Sequence, residues 1–192
     1  MHEVERLSPL LHRSGETVLL RSPNVGIEER AFVGKLSIRG NPGDKAFVSR
    51  FRDVLGVEPP PCDRAVDAAA ATVLPLGPSH WLAVDRRMEA TEPRPIACEL
   101  RDRLVAASLI IVDVSSSMTI MRVSGPGLHS TMRKLSALSL DRLPSMGVAR
   151  TRMGRLAILV HALGPDRADL FVPRSFASSF FQQLQDAADQ DR

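Results

Sequence analysis

The side chains with the chemistry to make bonds or hold ions are few: five histidines, the serine run Ser115, Ser116 and Ser117, two cysteines and scattered carboxylates. A catalytic centre needs such groups within hydrogen-bond reach of one another, so their spacing decides which chemistry is open to the chain. No G-x-S-x-G elbow surrounds the serines, and a turn between two strands accounts for them. Asp113 closes the apolar run LIIVDV and suits the same turn, where its carboxylate accepts backbone N–H groups. His129 and His161 fall inside a predicted helix and a predicted strand, with no cysteine or paired acid at local spacing. They read as packed or exposed side chains rather than ligands. His80 and Trp81 sit beside a predicted hairpin turn, with the indole ring directed inward. Cys62 and Cys98 have no CxxC and no histidine at ligand spacing, which argues against a disulfide framework or a zinc site.

Two further stretches invite a phosphate or anion. In SGPG (residues 124–127) a dinucleotide fingerprint would require glycine at 130, where Ser130 stands, and a Walker loop would require Gly-Lys-Ser or Gly-Lys-Thr. The stretch reads instead as a helix start, with Gly125 at the cap and Pro126 at the first helical position. In LFVPRSFASSFFQQL (170–184), Arg174 and Ser175 sit where a helix N-terminus presents free amides and partial positive charge. The simpler division makes Ser175 the N-cap and pairs Arg174 with a carboxylate, inside the chain or on a neighbouring subunit. No residue is therefore assigned to catalysis, cofactor binding or metal binding.

The elements that must position these residues follow from periodicity. Residues 1–30 read as an extended arm whose leucines, among them Leu10, Leu11, Leu19 and Leu20, need their own domain or a partner to cover them. AFVGKLSIRG is a predicted strand. KAFVSRFRDVLG places Phe47, Phe51, Val54 and Leu55 on one helical face before Gly56. Two apolar runs around Gly77-Pro78-Ser79 predict a hairpin, PIACELRDRLVAA a helix stacking Ala97, Leu100 and Leu104, and SLIIVDV a buried strand. The second half repeats the order. TIMRVSGPG is a strand, Leu128, Met132 and Leu135 recur along a helix, a hairpin turns at Gly164-Pro165-Asp166, and Phe176, Phe180 and Leu184 line the last helix. Gly40 and Gly125 are 85 positions apart and Gly77 and Gly164 are 87 apart, so the halves read as a duplicated unit. The fold class is α+β: two related split βαβ-type units, strand-helix-hairpin-helix repeated, with mainly antiparallel sheets and helices packed on them. The arm (1–30) precedes one domain (31–192) made of repeats at about 31–114 and 115–192.

Composition excludes several function classes. With 192 residues, 44% of them hydrophobic and 24% charged, the chain can build a sizeable core without staples. All but Lys35, Lys45 and Lys134 of its 25 basic residues are arginines, spread along the chain and interleaved with acids as in CELRDRL. A nucleic-acid stripe would cluster them; arginine suits protein interfaces, and a base composition that favours arginine codons accounts for the excess equally well. No strand carries the paired aromatics of an RNA-binding sheet, and there is no tyrosine at all. The N-terminus has early acids and no apolar core of a secretory signal, and no apolar run approaches a membrane span. A cytoplasmic protein is expected, with no nucleic-acid and no membrane partner.

Five stretches in order, KLSIRGNPGDKAFVSRFRDVLG, LPLGPSHWLAV, VDVSSSMTIMRVSGPG, GVARTRMGRLAILVHALG and DLFVPRSFASSFFQQL, resemble the gamma subunit family of heterotetrameric sarcosine oxidase. Where that family carries a cPLDLHP-like segment, this chain reads ALSLDRLPSM. The resemblance implies an aminomethyltransferase-like folate-binding fold and a non-catalytic, structural or assembly role beside alpha, beta and delta subunits. The complex so implied oxidatively demethylates sarcosine or a similar N-methyl amine and passes the one-carbon unit to tetrahydrofolate. Its FAD, FMN, NAD and tetrahydrofolate would lie on other subunits, with no cofactor on this chain. Folate-fold relatives carry a KGCYxGQE-type motif that is missing here. The alternative is a free-standing folate-binding or aminomethyltransferase-like one-carbon protein.

Overall fold

The computed structural model describes residues 8–10, 18–30, 33–86 and 109–189. The chain divides into two compact units, one of residues 1–32, 116–145 and 149–192 and the other of residues 33–115 and 146–148. The predicted helix at 95–107, together with Cys98, lies outside the described residues.

In the unit around residues 33–115, β3 (Lys35–Arg39) runs into α1 (Lys45–Leu55). Asp44 caps this helix by accepting the Ala46 N–H, and Gly56 ends it at φ 79°, its N–H reaching the Arg52 carbonyl. Phe47, Phe51 and Leu55 are the buried face, as their spacing predicts. β4 (Val66–Asp67), β5 (Ala71–Gly77), β6 (His80–Asp85) and β7 (Ile110–Asp113) complete a sheet of order β4-β5-β6-β3-β7. The core gathers Leu36, Ile38, Val73 and Ala83 around an aromatic group: the Trp81 ring lies 5.5 Å from Phe47 and 5.6 Å from Phe51. The Trp81 indole N–H donates to the Pro60 carbonyl at 3.0 Å, so the buried ring leaves no polar atom unpaired.

The other unit holds β1 (Val18–Arg21), β2 (Gly26–Arg30), β8 (Met118–Ser124), α2 (Leu128–Leu135), β9 (Val148–Met153), β10 (Leu156–Gly164), β11 (Arg167–Pro173) and α3 (Ala177–Asp189). Its sheet order is β1-β2-β8-β11-β10-β9. Met121, Val123, Val160 and Leu170 from the strands meet Leu128 and Met132 of α2 and Phe180, Phe181 and Leu184 of α3 in one core. Leu10 is fully buried in that core, and the Ser8 hydroxyl donates to the buried Glu29 carboxylate, which also accepts from Thr119 at 2.6 Å. Part of the leucine-bearing arm is thus covered by its own unit.

Strand pairing departs from chain order in a reciprocal way. β2 precedes β3 in the chain but pairs antiparallel with β8, while β7 precedes β8 but pairs antiparallel with β3. The two hairpins close alike: Gly77 pairs with His80 and Gly164 with Arg167, each after a register shift. Turn chemistry fixes this shape locally, with proline in the turn that follows each glycine.

Candidate functional site

A charged cluster lies on one face of the β2-β8-β11-β10 sheet. Register places Glu28, Arg122, Asp169 and His161 directly across from one another on four successive strands. Asp169 is 3% exposed, yet it is ionically satisfied. Arg122 grips it with two bonds, Nε to Oδ1 at 2.8 Å and Nη2 to Oδ2 at 3.0 Å, and Arg30 adds Nη1 to Oδ2 at 3.1 Å. Glu28 approaches Arg122 at 3.8 Å from the other side. The two guanidiniums respond differently. Burial pushes Arg122 down, but the bonds and charge of Asp169 and then Glu28 outweigh it, and its pKa is raised. For Arg30 burial prevails over a single bond to Asp169, helped by the like charge of Arg122, and its pKa is lowered. Both remain charged, because an arginine starts so far above neutrality. Two positive and two negative groups cancel, and the arginine fork holds the carboxylate as a structural tie across three strands.

A cavity of about 350 Å³ opens beside the start of α2, walled by Leu128, Leu140, Leu143 and Ala168, with His129 and Asp141 among its polar groups. His129 Nδ1 lies 2.8 Å from Asp141 Oδ1, and its Nε2 lies 2.6 Å from the Pro165 carbonyl. Arg133 bonds the other Asp141 oxygen at 2.6 Å. That bond above all, with the charges of His129 and Arg133, holds the Asp141 carboxyl below the usual carboxylate range. The acids facing His129 and His161 are 12 and 8 residues away in the chain, so local spacing had shown neither.

The SGPG stretch offers no phosphate cradle. Gly125 N–H donates to the Asp166 carbonyl at 2.8 Å and Gly127 N–H to the Asn24 carbonyl at 2.9 Å, so the amides a phosphate would need are committed. Gly125 has φ 116°, and a Cβ there would come within 2.4 Å of the Asn24 oxygen. The cap of α2 is Gly127 rather than Gly125, two residues later than the sequence suggests, because this loop first closes over the Asn24 turn. A flavin or dinucleotide pyrophosphate therefore does not fit here.

The remaining sequence-predicted residues take structural places. Asp113 accepts the Ser115 N–H at 2.9 Å, and the Ser115 hydroxyl accepts the Lys35 N–H at 2.9 Å. Arg174 and Ser175 lie in a one-turn 3-10 segment (Arg174–Phe176) ahead of α3, with the Arg174 N–H bonded to the Ser117 carbonyl; Ser175 is not the helix cap. Ser37 Oγ and His80 Nε2 are 2.8 Å apart, tying β3 to β6 across a half-buried strand surface. Among the described residues no group of three metal-type ligands converges, and no helix is long and apolar enough to cross a membrane. Sequence reasoning missed Arg30, Arg122, Asp141 and Asp169. The available signal was a lone charge inside an apolar strand, as in TIMRVS and RADLFV, which folds only if a partner arrives.

Comparison with known proteins adds three findings. The profile of the sarcosine oxidase, gamma subunit family matches residues 39–190. A chain of the heterotetrameric sarcosine oxidase from Corynebacterium sp. U-96, in complex with pyrrole 2-carboxylate, superposes with a TM-score of 0.80 at 21% identity, covering 96% of this chain and 95% of that chain. The glycine cleavage system aminomethyltransferase T from Bartonella henselae superposes with a TM-score of 0.64 at 12% identity, over 84% of this chain and 45% of that chain. A search of curated proteins finds no match. At such identities the superpositions speak for the fold, a sheet-rich architecture of the aminomethyltransferase type.

Proposed function

The chain belongs to the sarcosine oxidase gamma subunit family, and from that premise we propose that it is a non-catalytic subunit of a heterotetrameric sarcosine-oxidase-type complex. The observation that carries this reading is the family match over residues 39–190. Its partners are then alpha, beta and delta subunits, which bind FAD, FMN, NAD and tetrahydrofolate. Those subunits oxidise the N-methyl amine, sarcosine or a close analogue, in the cytoplasm. The internal chemistry agrees. Its charged clusters satisfy one another, as Arg122, Arg30 and Asp169 do, and are committed to holding strands together.

We also read the units as products of one duplication of a split βαβ element, with repeats meeting near residue 115. The orders β4-β5-β6-β3-β7 and β9-β10-β11-β8-β2 correspond position for position when β2, from the arm, stands where β7 does, which supports that reading. The test is co-expression with the other three subunits. A stoichiometric, flavin-coloured complex is expected, and the chain alone should turn over no methylated amine. Turnover by the isolated chain would refute the proposal. So would saturable micromolar binding of tetrahydrofolate to it, since that is what a free-standing folate protein would show.

A further inference from the structure

We propose that the margin of the sheet formed by β7 and β3 is a docking surface for another subunit of the complex, one that offers an apolar side chain next to a carboxylate. The inference rests on the subunit reading above and adds where the contact lies. Ile110 is 64% exposed and Val112 53% exposed, whereas Ile111 between them turns to the core. Alternation therefore places Ile110 and Val112 together on the opposite face. Register extends that face inward: Val112 pairs with Ser37 and Ile110 with Arg39, and Arg39 pairs with His80. Further in, Leu74, Leu82 and Val84 of the same face are buried.

The chemistry of that margin is specific. Natural edge strands deter association with charge or proline, and β7 shows neither on this face. The charge at this margin is Arg39 of the neighbouring strand β3, which is exposed and has no carboxylate partner among the described residues. Asp113, the acid on β7, shares the face of Leu36 and is engaged with the Ser115 N–H. Ser37 and His80 are bonded to each other. What remains is two exposed aliphatic side chains flanked by one guanidinium, and arginine is enriched at protein interfaces. Charge complementarity calls for an Asp or Glu beside an aliphatic or aromatic residue on the partner, held by the guanidinium fork.

The experiment co-expresses the complex with three versions of this chain: wild type, Arg39→Glu, and Ile110→Glu with Val112→Glu. Complex recovery is read by flavin absorbance, and the melting temperature and solution size of each isolated chain are measured. The expected result is roughly tenfold weaker association for Arg39→Glu, steepening at low salt, and no recoverable complex for the double variant. The isolated chains should melt as wild type does. Normal assembly of both variants beside an assembling wild type overturns the surface and leaves the subunit reading intact. Failure of the wild type itself sinks both. A fall in melting temperature confined to the double variant would show that the chain covers this face itself, and a wild-type dimer that the double variant splits would show a second copy there; either result overturns the proposal.

Discussion

Replacing Asp169 by asparagine leaves the shape of the β8-β11 contact almost unchanged and removes the one charge that two guanidiniums share. Arg122 and Arg30 approach that carboxylate at 2.8 to 3.1 Å. At about 3 Å and an effective dielectric near 20, each attraction is worth roughly 5 kcal/mol before desolvation is subtracted. Desolvation cancels much of it. What the variant keeps is the cost without the gain: two cations with about a fifth of their surface in water, 19% and 21%, and a neutral amide between them. Breaking a buried pair in this way costs about 3–5 kcal/mol. With a urea slope near 2 kcal/mol per molar, the unfolding midpoint should fall by about 1.5–2.5 M. The control is Glu58→Gln, which breaks the exposed 3.6 Å contact to Arg52. It should shift the midpoint by less than about 0.5 M, because exposed pairs contribute under about 1 kcal/mol. The assay is urea unfolding of both purified variants beside wild type at fixed salt. A loss below about 1 kcal/mol for Asp169→Asn, at unchanged slope, would refute the claim that this row ties the sheet together.

Other perturbations have equally definite outcomes. Gly125→Ala meets both a left-handed φ of 116° and the Asn24 oxygen at 2.4 Å, so it should cost at least about 2 kcal/mol in urea unfolding. Gly56→Ala, at φ 79° with nothing within 4 Å, should cost about 1 kcal/mol. Asp141 has its folded pKa depressed by Arg133, so its contribution is present above the ordinary carboxylate range and lost as pH falls through the folded value. Wild type should accordingly out-melt Arg133→Ala at neutral pH, and the gap should close in acid; a gap independent of pH would count against the pairing. Leu10→Ala opens a hole in a fully packed core and should cost about 2–5 kcal/mol. Thermal melts without such a loss would mean that the arm is dispensable to its unit.

By itself the sequence determined many of the local elements, though not the strands β1, β2, β4 and β9, and β7, expected to be buried, is largely exposed at the sheet edge. Helix α1 stands where Phe47, Phe51 and Leu55 recur at helical spacing, both hairpins close at their Gly-Pro turns, and Asp113 sits in the serine turn. These features depend on side chains a few positions apart, whose conformational preferences act before any long-range contact forms. Membership of a family was legible as well, because five stretches match it in order along the chain. Only the tertiary structure decided which strands are neighbours. Backbone N–H and C=O groups are alike along every strand, so nothing within GIEER says that it will pair with β8 rather than with β3, which follows it. That choice is made by burial of whole faces and closure of long loops. It is also what brought Asp169 to Arg30, 139 residues away, and Asp141 to His129.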